Sequence, residues 1–240
     1  MLGDDLRDAL GHALPLDRPV QSNAHAVLSH ELRALERPRP TVLDVGCGRG
    51  EGLDFVRSVL PEAYWLGVDI EQSAEVDERP LRPDAEFRSF DGIHIPVESD
   101  TIDLAYSQQV FEHVARPEPL LDDIARVLKP GGVFCGSVSQ LEAFHSRSVG
   151  GFTAYGWRLA VERAGFHLIS VRPGIDAGTL LLRRVVRRSQ RFDRYWVQES
   201  PGNRLIDVLA RARKLDAGQR NALKLMFAGQ FTFVAQRPHA

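Results

Sequence analysis

The segment from Thr41 to Gly50 constrains the fold of this chain more than any other part of the sequence. It begins as an apolar run typical of a short buried strand, reaches an acid at Asp44, and continues into a loop with glycine at every second position. A helix-like stretch, Glu51 to Leu60, follows. Because glycine lets the backbone turn sharply and lets a ligand approach closely, the pattern predicts a strand, a ligand-binding turn and a helix.

Asp44 restricts the class of ligand that this loop can bind. A dinucleotide loop must hold a pyrophosphate, which a carboxylate would repel, and the third glycine of its spacing would fall at Glu51. No Gly-Lys-Ser/Thr follows, so the sequence is not that of a P-loop. An acid at the end of a strand suits a ligand with a cationic amine, such as an amino-acid moiety.

Two further apolar runs also end in an acid. Trp65 to Ile70 contains Asp69, 25 residues after Asp44, and Phe87 to Gly92 contains Asp91. In a doubly wound sheet, ligands bind outside the carboxyl ends of the strands. Asp69 is therefore predicted to accept hydrogen bonds from ribose hydroxyls, although a strand-end Asp that caps the next helix is the alternative.

The next segments continue the alternation of strands and helices. Asp100 to Ser107 is predicted to be a fourth strand, and it leads into Gln108 to Val114. Arg126 to Phe134 is typical of a helix, a turn forced by Pro and Gly, and a strand. Alternation of this kind predicts a parallel sheet.

These motifs, in this order and spacing, resemble those of class I S-adenosylmethionine-dependent methyltransferases. The resemblance covers residues 41 to 173 and resumes at the last strand, with Ile102 where the family usually has Phe. It implies an α/β fold: a doubly wound, Rossmann-like sheet of seven mostly parallel strands with an antiparallel last strand. It also implies that S-adenosyl-L-methionine is the cofactor.

The resemblance assigns the cofactor site residue by residue. Asp44 and the glycine loop would hold the methionine portion, Asp69 the ribose, and Asp91 the adenine amino group. The full set of cofactor-binding residues that we predict lies at the ends of four strands: Asp44, Gly46, Cys47, Gly48, Asp69, Ile70, Asp91, Gly92, Ser107 and Gln108.

Catalysis leaves more alternatives. Methyl transfer is a direct displacement, and a hydroxyl acceptor also needs a base such as His, Glu or Asp. His145, after the predicted fifth strand, and His113, in Phe-Glu-His-Val, are the predicted catalytic residues. Glu112 is a further candidate, and His94 is predicted to be a turn residue.

The sequence predicts three regions. Residues 1–40 form an N-terminal helical segment, with helices near Asp4 to Leu14 and Asn23 to Leu35, and residues 41–173 and 230–240 form the cofactor-binding core. Residues 174–229 form an insertion where the family usually has a tight hairpin. Its predicted helices are Thr179 to Arg191, Asn203 to Lys214 and Asp216 to Ala228.

The insertion is predicted to cover the substrate mouth or to pair two subunits, because long connections with their own helices are commonly functional. It contains an arginine cluster, which suits an anionic acceptor or forms an ordinary solvated face. The cluster consists of Arg183, Arg184, Arg187, Arg188, Arg191 and Arg194.

Composition bounds the remaining possibilities. The 240 residues suffice for one sizeable core, no apolar run is long enough to span a bilayer, and the acidic N-terminus does not resemble a secretory signal. The only cysteines, Cys47 and Cys135, are predicted to be small buried residues in a reducing cytoplasm. A net charge of −2 disfavours nucleic acid as a partner.

The sequence thus predicts an enzyme that methylates a small molecule, with oxygen as the favoured acceptor atom. Neither an Asn/Asp-Pro-Pro-Tyr/Phe motif nor a Pro-Cys dipeptide is present, which disfavours methylation of DNA bases. A sugar, lipid or polyketide-like acceptor fits, and a homodimer is left open. The alternative is a cofactor-binding partner module that transfers no methyl group itself.

Overall fold

The computed structural model of the chain describes residues 3–142, 147–186 and 190–239. Its centre is a seven-stranded sheet with strand order β3-β2-β1-β4-β5-β7-β6. Every neighbouring pair is parallel except those that involve β7, which is antiparallel to both β5 and β6. The strands are β1 (Thr41–Val45), β2 (Tyr64–Ile70), β3 (Glu86–Phe90), β4 (Ile102–Gln108), β5 (Leu128–Ser139), β6 (His167–Pro173) and β7 (Gln230–Gln236).

The predicted fold class is confirmed, including the antiparallel last strand and the helices that precede it. Nine α-helices are found among the described residues. They are α1 (Asp4–Leu10), α2 (Ala24–Ala34), α3 (Glu51–Val59), α4 (Ala74–Asp77), α5 (Pro117–Val127), α6 (Ala154–Arg163), α7 (Ala177–Val185), α8 (Pro201–Ala212) and α9 (Ala217–Met226).

Strand β1 shows how the sheet separates two cores. Its residues alternate between the faces, so Val42 joins a cluster with residues of α2 and α3, whereas Leu43 and Val45 join a cluster with residues of α1, α5, α6 and α9. Asp44 is buried on the same face as Val42, among otherwise apolar side chains. Burial on both faces explains why this strand is a nearly continuous apolar run in the sequence.

Strand order reverses between β1 and β4. Chain order runs from β1 toward β2 and β3 on one side and from β4 toward β5 on the other. The connections that leave the carboxyl ends of β1 and β4 therefore diverge and leave a crevice between them. Val45, the last residue of β1, is paired with Ser107 near the end of β4, so the glycine loop and residues 108–110 both start at this crevice.

The insertion, residues 174–229, contains α7, a 3₁₀ segment (Gln190–Trp196), α8 and α9. The second and third predicted helices are present. The first was predicted to reach Arg191, which is wrong, because α7 ends at Val185. Arg183 and Arg187, and Arg184 and Arg188, would face each other one turn apart in a longer helix, and like charges at this spacing destabilise it. The β-branched Val185 and Val186 also have weaker helix propensity.

The insertion is joined to the N-terminal segment through buried polar contacts. The Lys224 Nζ, fully buried, donates to the Pro19 carbonyl at 2.7 Å and pairs with the carboxylates of Asp207, at 3.0 Å, and Glu199. Gln21 Oε1 accepts from the Ser200 backbone N–H and the Asn203 amide. Residues 15–23 and the insertion therefore pack as one structural layer beside the sheet.

Among the described residues, no helix combines the length and the hydrophobicity needed to cross a membrane. Cys47 and Cys135 are both free and buried, as predicted.

Candidate functional site

The glycine loop leaves the end of β1 in a conformation that requires glycine. Gly46 and Gly48 have φ angles of 73° and 49°, in the left-handed region that side chains disfavour. A Cβ on Gly46 would also lie 2.3 Å from a methyl group of Val110. The backbone N–H groups of Gly46 and Cys47 donate to the Val68 carbonyl of β2 at 2.8 and 3.1 Å, so the loop is fixed against the neighbouring strand.

Asp69, at the end of β2, is brought directly to this loop. One carboxylate oxygen accepts the Gly48 backbone N–H at 2.7 Å, and the other accepts the N–H of Ile70 at 2.8 Å. The side chain is only partly buried, which leaves lone pairs directed away from these donors. Two of the predicted cofactor-binding residues therefore touch each other across the β1–β2 edge.

Asp44 is the buried acid of the site. It is 5 % exposed and makes no ion pair with any residue that the structure describes. Burial, with a smaller contribution from the charge of Asp69, raises the pKa of Asp44 to about 7. A cationic group bound nearby would favour its ionised form, so this carboxyl fits the ammonium or sulfonium charge of an S-adenosylmethionine-like ligand.

Asp91 and Gly92 follow β3 at the same edge of the sheet. One Asp91 oxygen accepts the N–H groups of Ile93 and His94, and the other contacts the His94 ring at 2.7 Å. These hydrogen bonds lower the pKa of Asp91, and the contact with Asp91 raises the pKa of His94. The carboxylate thus orders the bend that follows β3, and His94 lies in the loop after this bend.

Arg79 is a residue at the loop that sequence reasoning missed. Its Nε donates to the Gly48 carbonyl at 2.7 Å, and its guanidinium lies 4.1 Å from the centre of the Phe87 ring. It follows α4, whose Glu75 side chain lies against Gly48. The polar stretch around Arg79 shows no periodicity, so nothing in the sequence pointed to this contact.

A cavity of about 680 Å³ opens beside the ends of β4 and β5. Its wall is formed by the start of α2, Phe55 of α3, the residues at the carboxyl end of β4, strands β5 and β7, and the insertion. The residues that line it include His25, Gln108, Gln109, Ser137, Trp196 and Thr232. Gln108 belongs to the predicted cofactor-binding set and lines this cavity, and its neighbour Ser107 is fully buried at the end of β4.

Gln109 connects the cavity to a buried acidic cluster. Its φ of 56° is unusual for a residue other than glycine and directs the chain out of β4. With the amide nitrogen directed toward the cluster, it donates to Glu112 at 2.7 Å and to the Ser139 hydroxyl at 2.8 Å. The same hydroxyl lies 3.0 Å from Glu112 and 3.1 Å from Glu142.

Glu112 is the most buried member of this cluster. It is 1 % exposed, and burial is the main reason that its pKa is raised, with a contribution from the negative charge of Glu142. The Glu142 carboxylate also accepts the Gln230 amide at 2.6 Å and lies near Arg184 of the insertion. The alternation of serine with apolar residues in β5, at Ser137 and Ser139, is the pattern that could have indicated a polar cluster here.

The two predicted catalytic histidines differ in what the structure describes. His113 lies in the 3₁₀ turn Phe111–His113, is exposed, and does not line the cavity. His145 lies outside the described residues. His25, at the start of α2, does line the cavity and stacks on Phe55 with ring centres 4.3 Å apart, and sequence reasoning did not single it out.

Comparison with known proteins identifies the central part of the chain. Residues 43–136 match a family described as a methyltransferase domain. A phthiotriol/phenolphthiotriol dimycocerosates methyltransferase of Mycobacterium tuberculosis is 26 % identical over 128 residues, which are 50 % of this chain and 47 % of that protein. This chain covers between a third and about half of the length of the curated relatives that it matches first.

Solved structures share the fold across most of the chain. The geranyl diphosphate C-methyltransferase of Streptomyces coelicolor, solved with S-adenosyl-L-homocysteine, has a TM-score of 0.55 at 14 % identity and covers 88 % of this chain and 77 % of its own. A complex of a Haloferax volcanii methyltransferase with the activator Trm112 gives 0.54 at 19 % identity, covering 99 % and 94 %. These likenesses extend the shared fold to the N-terminal helices and the insertion.

Proposed function

Because the chain carries a class I S-adenosylmethionine-dependent methyltransferase domain of the type 11 branch, we propose that it transfers a methyl group from S-adenosyl-L-methionine to a small molecule. The observation that carries the proposal is the joining of Asp44, the glycine loop and Asp69 at the strand-order reversal, beside a cavity of about 680 Å³. The loop would hold one ligand and the cavity would admit a second.

The chain's own residues suit the parts of the cofactor. Asp44 would accept the cationic amino-acid end, the backbone of Gly46 to Gly48 would contact it closely, and Asp69 would accept the ribose hydroxyls. Asp91 and Gly92 would border the adenine. When bound, the cofactor supplies an electrophilic methyl group on a cationic sulfur, and the protein's part is to hold the acceptor atom in line with it.

We propose oxygen as the acceptor atom and the cavity as the acceptor site. Its polar side chains, Gln109, Ser137 and Thr232, can orient a hydroxyl, and Trp196 offers apolar contact. His145 and His113 stay the predicted bases. Glu112 is a further candidate because burial raises its pKa, which makes the carboxylate a stronger base, and because Gln109 links it to the cavity wall.

The arginine cluster would suit an anionic acceptor, and an ordinary solvated face is the alternative. Arg183 pairs with Asp193 at 2.6 Å and lies 5.6 Å from the ring centre of Trp196, which lines the cavity. The M. tuberculosis relative is named for a lipid substrate, which supports a lipid among the acceptor classes.

The alternative proposal is a cofactor-binding partner module. It rests on the sequence, in which no residue is unmistakably a general base. Labelled S-adenosyl-L-methionine incubated with the protein and a cell extract separates the two. Label in a small molecule supports the enzyme, whereas cofactor binding without transfer supports the module.

Cofactor binding itself is tested by calorimetric titration of wild type and Asp69→Asn. We expect the variant to bind about ten- to a hundredfold more weakly, since hydrogen bonds to a charged group contribute roughly 1.5–3 kcal/mol. Glu71→Gln, a nearby exposed acid, is the matched control and should bind normally. Equal affinity for all three proteins would remove Asp69 from the cofactor site.

A further inference from the structure

The insertion carries a charge opposite to that of the rest of the chain. Residues 174–229 contain twelve Lys and Arg against five Asp and Glu, a net charge of +7. Because the whole chain carries −2, the remaining residues carry −9. Such an asymmetry points to a partner with negative charge that meets the insertion rather than the core.

The acidic side chains of the insertion do not offset this charge at its surface. Asp176 is buried and caps α7, where it accepts from Thr179. The other four acids are held in ion pairs: Asp193 with Arg183, Glu199 and Asp207 with Lys224, and Asp216 with Arg7. Among the basic residues of the described part of the insertion, Arg191, Arg194, Arg204, Arg211, Arg213 and Lys214 are exposed.

Helix α8 combines these charges with an exposed apolar stripe. Leu205, Val208 and Leu209, at positions i, i+3 and i+4, are 60 %, 63 % and 46 % exposed. The inner face of α8 buries Asn203 and Ala210 and directs Asp207 toward Lys224. No carboxylate therefore faces outward from this helix.

Basic side chains flank the exposed apolar stripe at both of its ends. Arg204 precedes it and Arg211, Arg213 and Lys214 follow it, all exposed and without an ion pair to any residue within 3–142, 147–186 or 190–239. Helix α7, which packs against α8, leaves Leu181, Leu182 and Val185 at least half exposed. An aliphatic stripe with a basic border is the pattern of a helix that lies on an anionic bilayer.

We propose that the outer face of α8 docks the protein on a membrane surface that contains anionic lipid. The aliphatic side chains enter the boundary between headgroups and acyl chains, and the Arg and Lys side chains contact lipid phosphates. The proposal requires no membrane-spanning helix, and it is independent of methyl transfer.

Two other occupants fit this face less well. A twofold pairing of α8 with a second copy would bring two basic borders together, which like-charge repulsion opposes. Binding of single-stranded nucleic acid is typically supported by aromatic side chains that stack on the bases. Helix α8 carries no aromatic side chain, Trp196 lines the cavity, and Tyr195 is covered by Arg194 at 4.8 Å.

Vesicle co-sedimentation tests the proposal with the full chain. We expect binding to phosphatidylcholine vesicles that contain about one third phosphatidylglycerol, little binding to pure phosphatidylcholine, and weaker binding at high salt. The triple variant R204Q/R211Q/R213Q should lose about tenfold or more in affinity. L205S/V208S/L209S should lose a similar factor and retain the salt dependence.

The matched control is R33Q/R39Q/L81S, which changes two exposed arginines and the fully exposed Leu81 outside the insertion. It should bind as wild type does, and circular dichroism should show that all variants are folded. The proposal fails if both vesicle types bind equally or if the α8 variants bind as the control does. It also fails if light scattering shows a dimer that L205S/V208S/L209S abolishes. A further contrary result would be an RNA oligonucleotide that binds the protein as tightly as the vesicles do and displaces it from them.

Discussion

At the scale of single residues, Asp44 carries the most specific expectation. Its carboxyl is buried without an ion pair to a described residue, and its pKa is raised to about 7. A ligand that needs the ionised form must therefore compete with a proton below neutral pH. Since the ionised fraction rises from about one tenth at pH 6 to about nine tenths at pH 8, affinity for S-adenosyl-L-methionine should rise about tenfold.

Calorimetric titration of wild type and Asp44→Asn at several pH values tests this expectation. The ligand titrates identically in both experiments, so the difference between the two proteins reports Asp44 alone. The Asp44→Asn variant should bind weakly, and its side chain should add no pH dependence. Parallel pH profiles for the two proteins would contradict the assignment.

The same pKa predicts the stability of the ligand-free protein. The pKa of Asp44 is about 7 when folded and about 3.9 when unfolded, so the folded state holds the proton more tightly between these values. The free energy of unfolding should therefore fall as pH rises from about 4 to about 7, by up to about 4 kcal/mol, and Asp44→Asn should flatten this slope. Urea denaturation across this range measures it.

Gly48 provides a residue-scale test of the loop. Gly48→Val would place a branched side chain at a φ of 49° and against Glu75, where the loop must approach the cofactor. We expect cofactor binding to be lost, as measured by calorimetry. Gly165→Val is the matched control, because Gly165 has a φ of 84° but nothing within 4 Å of an added Cβ. If Gly48→Val binds normally, the assignment of the loop to the cofactor is wrong, and if both variants lose binding, backbone strain rather than a ligand contact explains the loss.

At the scale of elements, the sequence predicted the strands well and one helix poorly. Strands such as β1 and β4 are short apolar runs with clear ends, so a few consecutive residues of the sequence are enough to predict them. The end of helix α7 was predicted wrongly, because apolar periodicity takes no account of charge repulsion among arginines. The seven-stranded order also required the family resemblance, since strand pairing is not encoded locally.

The residues of the candidate site also differ in how well the sequence predicts them. Asp44, Gly48 and Asp69 follow strand ends, so a local pattern located them. The cluster around Glu112, Ser139 and Gln109 forms only when residues about 30 positions apart meet at the carboxyl ends of β4 and β5. Arg79 reaches the loop from across 31 residues in the same manner.

Contacts between elements predict how firmly the insertion is held. Lys224→Met should destabilise the protein by about 3–5 kcal/mol, because it leaves the largely buried Glu199 without an ion pair to a described residue and leaves Asp207 with Arg220 alone. Arg7→Gln is the matched control. Its partner Asp216 is more than half exposed, so its loss should cost at most about 1 kcal/mol in urea denaturation. Equal losses would show that burial of Lys224 is unimportant.

At the scale of the whole molecule, the cofactor loop and the insertion occupy different parts of the fold. The loop is held by β1 and β2, and no described residue of the insertion contributes to its hydrogen bonds. Trp196 and Val197 of the insertion instead wall the cavity beside β4 and β5. We therefore expect the sheet edge to bind the cofactor and the insertion to shape the acceptor site or to pair two subunits.

Replacing residues 174–229 with a short turn tests this division. Cofactor affinity should stay within about threefold of wild type, because the loop keeps its partners, whereas transfer of label to a cell extract should be lost. The replacement also removes the partners of Gln21, so circular dichroism must show a folded core. Trp196→Ala, which keeps the insertion, should likewise bind cofactor normally and transfer label more slowly. A shortened protein that still methylates, but changes from dimer to monomer by light scattering, would assign the insertion to subunit pairing instead.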